Sequence, residues 1–248
     1  MIYVYNLIVH SLITAIAIKC NKESSCFTNI SDQLTLDSTP GYFHTPEVPE
    51  RMRRLVSKSR LLIIVRDPVI RAISDWYQLD LKAVLHGKPS IPFEKQAITA
   101  NGHVNTDYQV LQRSHYNVHL RRWLDYFSPR RIHIVDGDGF RGNPSAELVL
   151  IEKFLKLPNY FKRDLFYFNE TKGFYCMRMS DGVDKCLNQS KGRTHPEIDP
   201  EVIGKLKKYF WKYNERFYKT AGREFTWNNE KVQIVNALDV EEKRRNIK

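Results

Sequence analysis

The clearest pattern along the chain is a run of five apolar residues, Leu61 to Val65, followed by apolar positions at helical spacing: Ile70, Ile73, Trp76, Tyr77, Leu81 and Val84. A short, continuous run rich in β-branched residues suits a strand buried on both faces of a parallel sheet. Pro68 is well placed in the first turn of the helix after it, where a missing N–H costs nothing. The pattern therefore predicts a strand–helix unit, with Arg66 at the junction and Ser74 about two turns along. In open α/β sheets, ligands bind at this carboxyl edge.

"RRIHIVDGD", residues 130–138, alternates and then breaks at Asp136-Gly137, which reads as a second core strand followed by a turn. A longer helix is predicted from about Asp107 to Phe127, with Leu111, Leu120, Trp123, Leu124 and Phe127 on one stripe. Another runs from Pro144 to Leu157. A third opens at Pro200, capped by Asp199, and buries Ile203, Leu206, Phe210, Tyr213 and Phe217. Residues 24–60, with Pro40, Pro46 and Pro49, read as loops around one short helix. Residues 86–104, with Gly87, Pro89, Pro92 and Gly102, read as an irregular surface excursion. Strands alternating with helices favour a parallel α/β sheet.

The first nineteen residues are largely apolar but include Asn6 and His10, with no basic residue ahead of the run. The missing positive flank weighs against a signal peptide or membrane anchor and for a buried strand or helix, or a divergent start to the chain. The charged end "EEKRRNIK" reads as a solvated tail.

Composition narrows the class. With 248 residues, 42% of them hydrophobic, the chain can build one sizeable core. A net charge of +11 points to a polyanionic partner: nucleic acid, acidic glycan or anionic membrane. No recognised nucleic-acid module is present, and a nucleic-acid partner is not expected. Sequons at Asn29, Asn169 and Asn188 favour an oxidising secretory compartment. A bond between Cys176 and Cys186 would close a small loop and stabilise it by roughly 2–3 kcal/mol; two unrelated thiols are the plain alternative. Eight histidines and four cysteines show no metal-ligand spacing, and no metal is expected.

An arginine fork and a hydroxyl converging at a strand end suit a phosphate or sulfate. "SKGRTHP", residues 190–196, offers a second cradle: a glycine between Lys191 and Arg193 lets successive backbone N–H groups turn toward an anion. Tyr175, beside Cys176, could offer a ring to a nucleobase, or could simply pack on the core. Together these pieces describe a nucleotide site.

"RDPVIRAISDWYQ", "IHIVDGD", "FYFNETKGFYC", the Cys176 and Cys186 spacing and "SKGRTHPEIDP" resemble the heparan sulfate glucosamine 3-O-sulfotransferases, with similarity from about Thr39 to Trp227. The resemblance implies a P-loop-NTPase-like three-layer parallel sheet flanked by helices, incomplete at the N-terminus. It implies a sulfotransferase domain over 39–227, between a divergent segment 1–38 and a tail 228–248. It also implies a monomeric Golgi enzyme that moves a sulfuryl group from 3′-phosphoadenosine 5′-phosphosulfate to the 3-hydroxyl of a glucosamine in heparan sulfate, with Cys176 bonded to Cys186. Carried over by motif, Arg66 and Ser74 hold the 3′-phosphate, while Tyr175, Lys191, Gly192, Arg193, Thr194 and His195 line the same nucleotide. Gln78 touches the acceptor sugar, and Arg113 and Ser114 are further acceptor candidates, with an ordinary helix face as their alternative.

The pattern also departs from the family. The relatives' glycine-rich phosphosulfate loop and the glutamate after it precede "TPxYF", but residues 1–38 contain no glycine. The loop is therefore not expected in this chain, and no residue is assigned as catalytic base. Ser38 stands where relatives carry lysine, and Asn188 where some carry histidine. Slight activity is therefore expected, and the alternative expectation is a heparan sulfate-binding protein that keeps the basic cleft without turnover, or a truncated isoform.

Overall fold

The computed structural model describes residues 14–20, 34–178, 182, 184–186 and 196–228. Its centre is a four-stranded sheet in the order β2-β1-β3-β4, formed by β1 (Thr14–Cys20), β2 (Leu34–Thr39), β3 (Arg60–Val65) and β4 (Ile132–Asp136). β3 and β4 are parallel, with Leu61 opposite Ile132 and Val65 opposite Asp136. β1 runs antiparallel to both β2 and β3, so the sheet is mixed.

The apolar run of β3 is buried on both faces. Leu61, Ile63 and Val65 pack with Tyr116, Leu120 and Trp123 of α5 (Tyr116–Leu124) and Phe217 of α8 (Pro200–Ala221). Leu62 and Ile64 meet Phe140 of α6 (Gly137–Gly142) and Leu148 and Ile151 of α7 (Pro144–Leu155). Alternate residues facing opposite layers is what a two-unit strand repeat dictates. The result is the three-layer α/β architecture expected from the sequence.

A third cluster joins the helices to one another. Val69, Ala72, Ile73 and Trp76 of α2 (Pro68–Leu85) pack against Phe93 and Ala97 of α3 (Phe93–Ala97), Val110 and Leu111 of α4 (Gln109–Gln112), and Leu206 and Phe210 of α8. α1 (Val48–Leu55) and a disulfide-tied hairpin of β5 (Phe166–Asn169) and β6 (Phe174–Met177) complete the fold. Cys176 and Cys186 are bonded.

Several expectations need correction. The helix predicted over 107–127 is broken at Arg113–His115 into α4 and α5. The guanidinium of Arg71 takes the Val110 carbonyl, the acceptor a continuous helix would offer to Ser114, whose N–H instead bonds Leu111. Residues 86–104 hold α3, seated by fully buried Phe93. Asp136-Gly137 opens α6 rather than a turn, because Asp136 caps it. Residues 24–60 contain β2 as well as α1. Ile70 and Val84 lie outside the buried stripe of α2, and on α8 that stripe includes Val202 and Asn214, with Ile203 and Tyr213 only partly covered. The predicted tail, apart from Asn228, lies outside the described residues.

Candidate nucleotide and acceptor site

Arg66 follows β3 directly, and its position is set by α6. Its Nε donates to Asp138 Oδ1 at 2.9 Å, while the Asp67 backbone N–H donates to Asp138 Oδ2 at 2.7 Å. One carboxylate thus fixes both the side chain and the strand–helix junction. Asp138 is itself placed by Asp136, whose Oδ1 accepts from the N–H groups of Asp138 and Gly139, each at 3.0 Å. On the other side, Tyr116 donates its hydroxyl to the Arg66 carbonyl at 2.9 Å.

Gly137 permits this approach. A Cβ there would lie 2.8 Å from Arg66 Cγ and 2.9 Å from the Val65 carbonyl oxygen. The carbonyl belongs to the sheet and cannot yield, so Gly137→Ala is expected to displace Arg66. A several-fold weaker affinity for adenosine 3′,5′-bisphosphate, the nucleotide that the sequence resemblance implies, measured by calorimetry with the fold intact by circular dichroism, is the expected result; unchanged affinity would contradict this expectation.

Asp67 caps α2, its Oδ1 accepting from the N–H groups of Val69 at 2.8 Å and Ile70 at 3.3 Å. Burial pushes its carboxyl up to about 6, with the Asp138 charge adding to the rise. Ser74 lies two turns along α2 and is buried; Gln78, one turn further, is exposed. Tyr175 sits on β6, its ring edge-on to Phe168 at 5.4 Å, and packs against the cluster that holds Phe140 of α6. The layer carrying Asp138 is therefore also the layer behind Tyr175. Lys191, Gly192, Arg193, Thr194 and His195 lie outside the described residues, as do Asn29 and Asn188. Asn169 is at the turn of the hairpin, its amide oxygen accepting from the Lys172 N–H at 3.0 Å.

The two further residues expected to meet the acceptor, Arg113 and Ser114, have different surroundings. Arg113 keeps a partly exposed side chain and donates to Asp75 Oδ2 at 3.0 Å. Ser114 is 1% exposed, and its hydroxyl donates to the Pro68 carbonyl at 3.0 Å and accepts from Arg71 Nε at 2.5 Å. It ties the break between α4 and α5 to the start of α2. Arg71 also donates to Asp75 Oδ2 at 3.0 Å, so Asp75 is shared by two cations. Burial and the Arg113 and Arg71 charges hold the His44 ring below its ordinary value, while burial and Asp75 push Tyr108 up to about 12.

Sequence reasoning missed Asp138, Gly137 and the Arg71–Asp75 pair. The signal for the first two was present in "DGD", an acid placed one residue beyond a glycine at a strand end.

The site fits an anionic nucleotide on one specific ground. Only Nε of Arg66 is engaged among the described residues, which leaves the two Nη groups, the part of the fork that grips a phosphate.

The family described as the sulfotransferase domain matches residues 10–221. Heparan sulfate glucosamine 3-O-sulfotransferase 5 is 48% identical in Mus musculus and 47% in Homo sapiens, each over 79% of this chain and 57% of the relative. Heparan sulfate glucosamine 3-O-sulfotransferase 3B1 of Homo sapiens is 37% identical over 80% of this chain and 51% of the relative. The chain thus spans little more than half the length of these curated relatives. Among solved structures, a sulfotransferase from Alicyclobacillus acidocaldarius superposes with a TM-score of 0.54 at 17% identity, over 77% of this chain and 66% of that one, a likeness of fold. With most of its length matched from the first strand to the last long helix, the chain belongs to the sulfotransferase domain family.

Proposed function

We propose that this chain acts in sulfuryl transfer from 3′-phosphoadenosine 5′-phosphosulfate to the 3-hydroxyl of a glucosamine in heparan sulfate, in the Golgi lumen. The observation that carries this reading is Arg66, held by Asp138 at the carboxyl end of β3 with Nη groups that no other described residue engages. When bound, the donor supplies the sulfuryl group. Arg66 and Ser74 would then hold its 3′-phosphate, Tyr175 with Lys191, Gly192, Arg193, Thr194 and His195 would flank the nucleoside, and exposed Gln78 with Arg113 would orient the acceptor sugar. The acceptor hydroxyl would give up its proton to solvent and bond through its oxygen to sulfur, while the bond from sulfur to the 5′-phosphate oxygen breaks and adenosine 3′,5′-bisphosphate leaves. In such a transfer, positioning and charge stabilisation carry most of the rate.

Net charge supports an acidic glycan as acceptor, and the Cys176–Cys186 bond suits an oxidising lumen. No helix among the described residues is long and apolar enough to cross a membrane. The relatives named above are all described as sulfotransferases, which gives the binding-only alternative no support.

The test is incubation of the purified chain with sulfur-labelled donor and N-sulfated heparan. Label in the glycan is expected. Arg66→Ala removes charge-assisted hydrogen bonds worth about 1.5–3 kcal/mol each, so donor affinity should fall roughly ten- to a hundredfold. Retention on heparin with no label in the glycan would overturn the reading.

A further inference from the structure

A groove of about 690 Å³ runs along α8, outside the nucleotide and acceptor residues described above. Its floor is apolar, built from Val69, Phe210 and Trp227, and its mouth is cationic, with Lys207, Lys208 and Lys212 along the helix. Lys208 and Lys212 are exposed and have no ion pair among the described residues, unlike Lys205, which pairs with Glu201 at 2.8 Å. Trp211, 43% exposed, stands between them.

Gly204 is the informative residue. It lies inside α8, where glycine costs about 1 kcal/mol relative to alanine, and a Cβ there would meet nothing within 4 Å. Packing does not require it. Gly204, Lys208 and Trp211 follow at four- and three-residue steps on one face, so the missing side chain keeps that wall of the groove open. An open wall, an exposed indole and the ammonium groups of Lys208 and Lys212, which no described carboxylate pairs, describe a seat for a sugar ring that carries negative groups. The aromatic face packs on the ring, and the lysines meet its sulfates as point charges.

At its other end the groove is bounded by Asp67 and Pro68, the two residues after Arg66. The Asp67 carboxylate turns into the first amides of α2 instead of competing for an anion. A chain lying on α8 would therefore approach the strand end where the donor is placed.

We propose that the α8 groove is a second anchoring subsite for a sulfated polysaccharide, holding a stretch of the polymer away from the glucosamine that reacts. The identity of the polymer rests on the function proposed above; the cationic groove does not. It follows that long chains engage both places, while a tetrasaccharide reaches only one.

The experiment uses the full chain with long heparin and a heparin tetrasaccharide, binding being read by calorimetry across salt concentrations. Lys208→Glu with Lys212→Glu should weaken long heparin about tenfold near 0.15 M salt, and the slope of log affinity against log salt should flatten by about one per lysine, as polyanion counterion release requires. Gly204→Leu, a good helix former, should weaken it by blocking the groove without changing charge. Tetrasaccharide binding and labelling should not change. Unchanged heparin affinity in both variants would overturn the subsite, as would an equal loss for the tetrasaccharide. Equally strong, equally sensitive binding of double-stranded DNA or anionic vesicles would overturn the assignment to a glycan. A flattened slope without any label in the glycan would leave the subsite standing and sink the transfer function alone.

Discussion

Arg71→Met is expected to destabilise the protein by about 3–5 kcal/mol, measured by urea denaturation at neutral pH, a large part of the total for a domain of this size. Arg71 is 1% exposed, yet its guanidinium meets three partners on different elements: Ser114 Oγ, Asp75 Oδ2 and the Val110 carbonyl. Methionine fills similar volume but leaves a buried carbonyl unpaired and takes from Asp75 its more buried cation. The cost comes from what is stranded rather than from any strength of the ion pair. By contrast, Arg113→Ala should cost less than about 1 kcal/mol, because Arg113 Nη1 reaches the same carboxylate from a partly exposed position. Similar losses for the two variants would mean that Arg71 is not enclosed as described.

Acid should unfold the protein well before ordinary carboxylates titrate. His119 is driven down to about 3, and His115 and His133 to about 4, chiefly by burial. The unfolded chain, with histidines near 6.5, takes up protons first as pH falls, so this stability is present above about 6.5 and is lost below it. Asp67 works in the opposite sense. Raised to about 6, it gains its proton first in the folded state and favours that state between about 6 and 4, and Asp136 shifts the same way. Four lowered histidines, His44 among them, against two raised carboxyls leave a net uptake on unfolding of roughly two protons, or about 3 kcal/mol per pH unit. Urea midpoints at pH 7.5, 6.5 and 5.5 should fall in that order. His119→Gln, which retains a donor for the Gln112 carbonyl, should reduce the fall. Equal midpoints across this range would refute the burial of these rings.

What the sequence disclosed depended on how local the cause was. The β3–α2 junction and the Asp199-Pro200 start of α8 were legible because each is decided within four residues, by an apolar run or by a cap followed by proline. The break between α4 and α5 was not legible. Its cause is Arg71, whose partner Val110 lies 39 residues away, and a charged residue on a helix reads as surface until its buried acceptors are known. Asp138 was overlooked for the same reason, since Arg66 is 72 residues distant in sequence. Spacing alone left the disulfide open; the family resemblance implied it, and the bond is present. Of the residues proposed for a nucleotide, Arg66 lies at the end of β3 and Ser74 on α2, as the pattern predicts, whereas the basic loop from Lys191 to His195 lies outside the described residues.

Asp138, which fixes Arg66, would bear on turnover under the function proposed above. A guanidinium already facing a carboxylate attracts a doubly charged phosphate less strongly than a bare one would. Under the function proposed above, what is given up in grip would be regained in release, because the spent nucleotide would leave a pocket whose charge is partly answered from within. Removing that acid by Asp138→Asn should tighten the hold on product and slow each cycle at its last step.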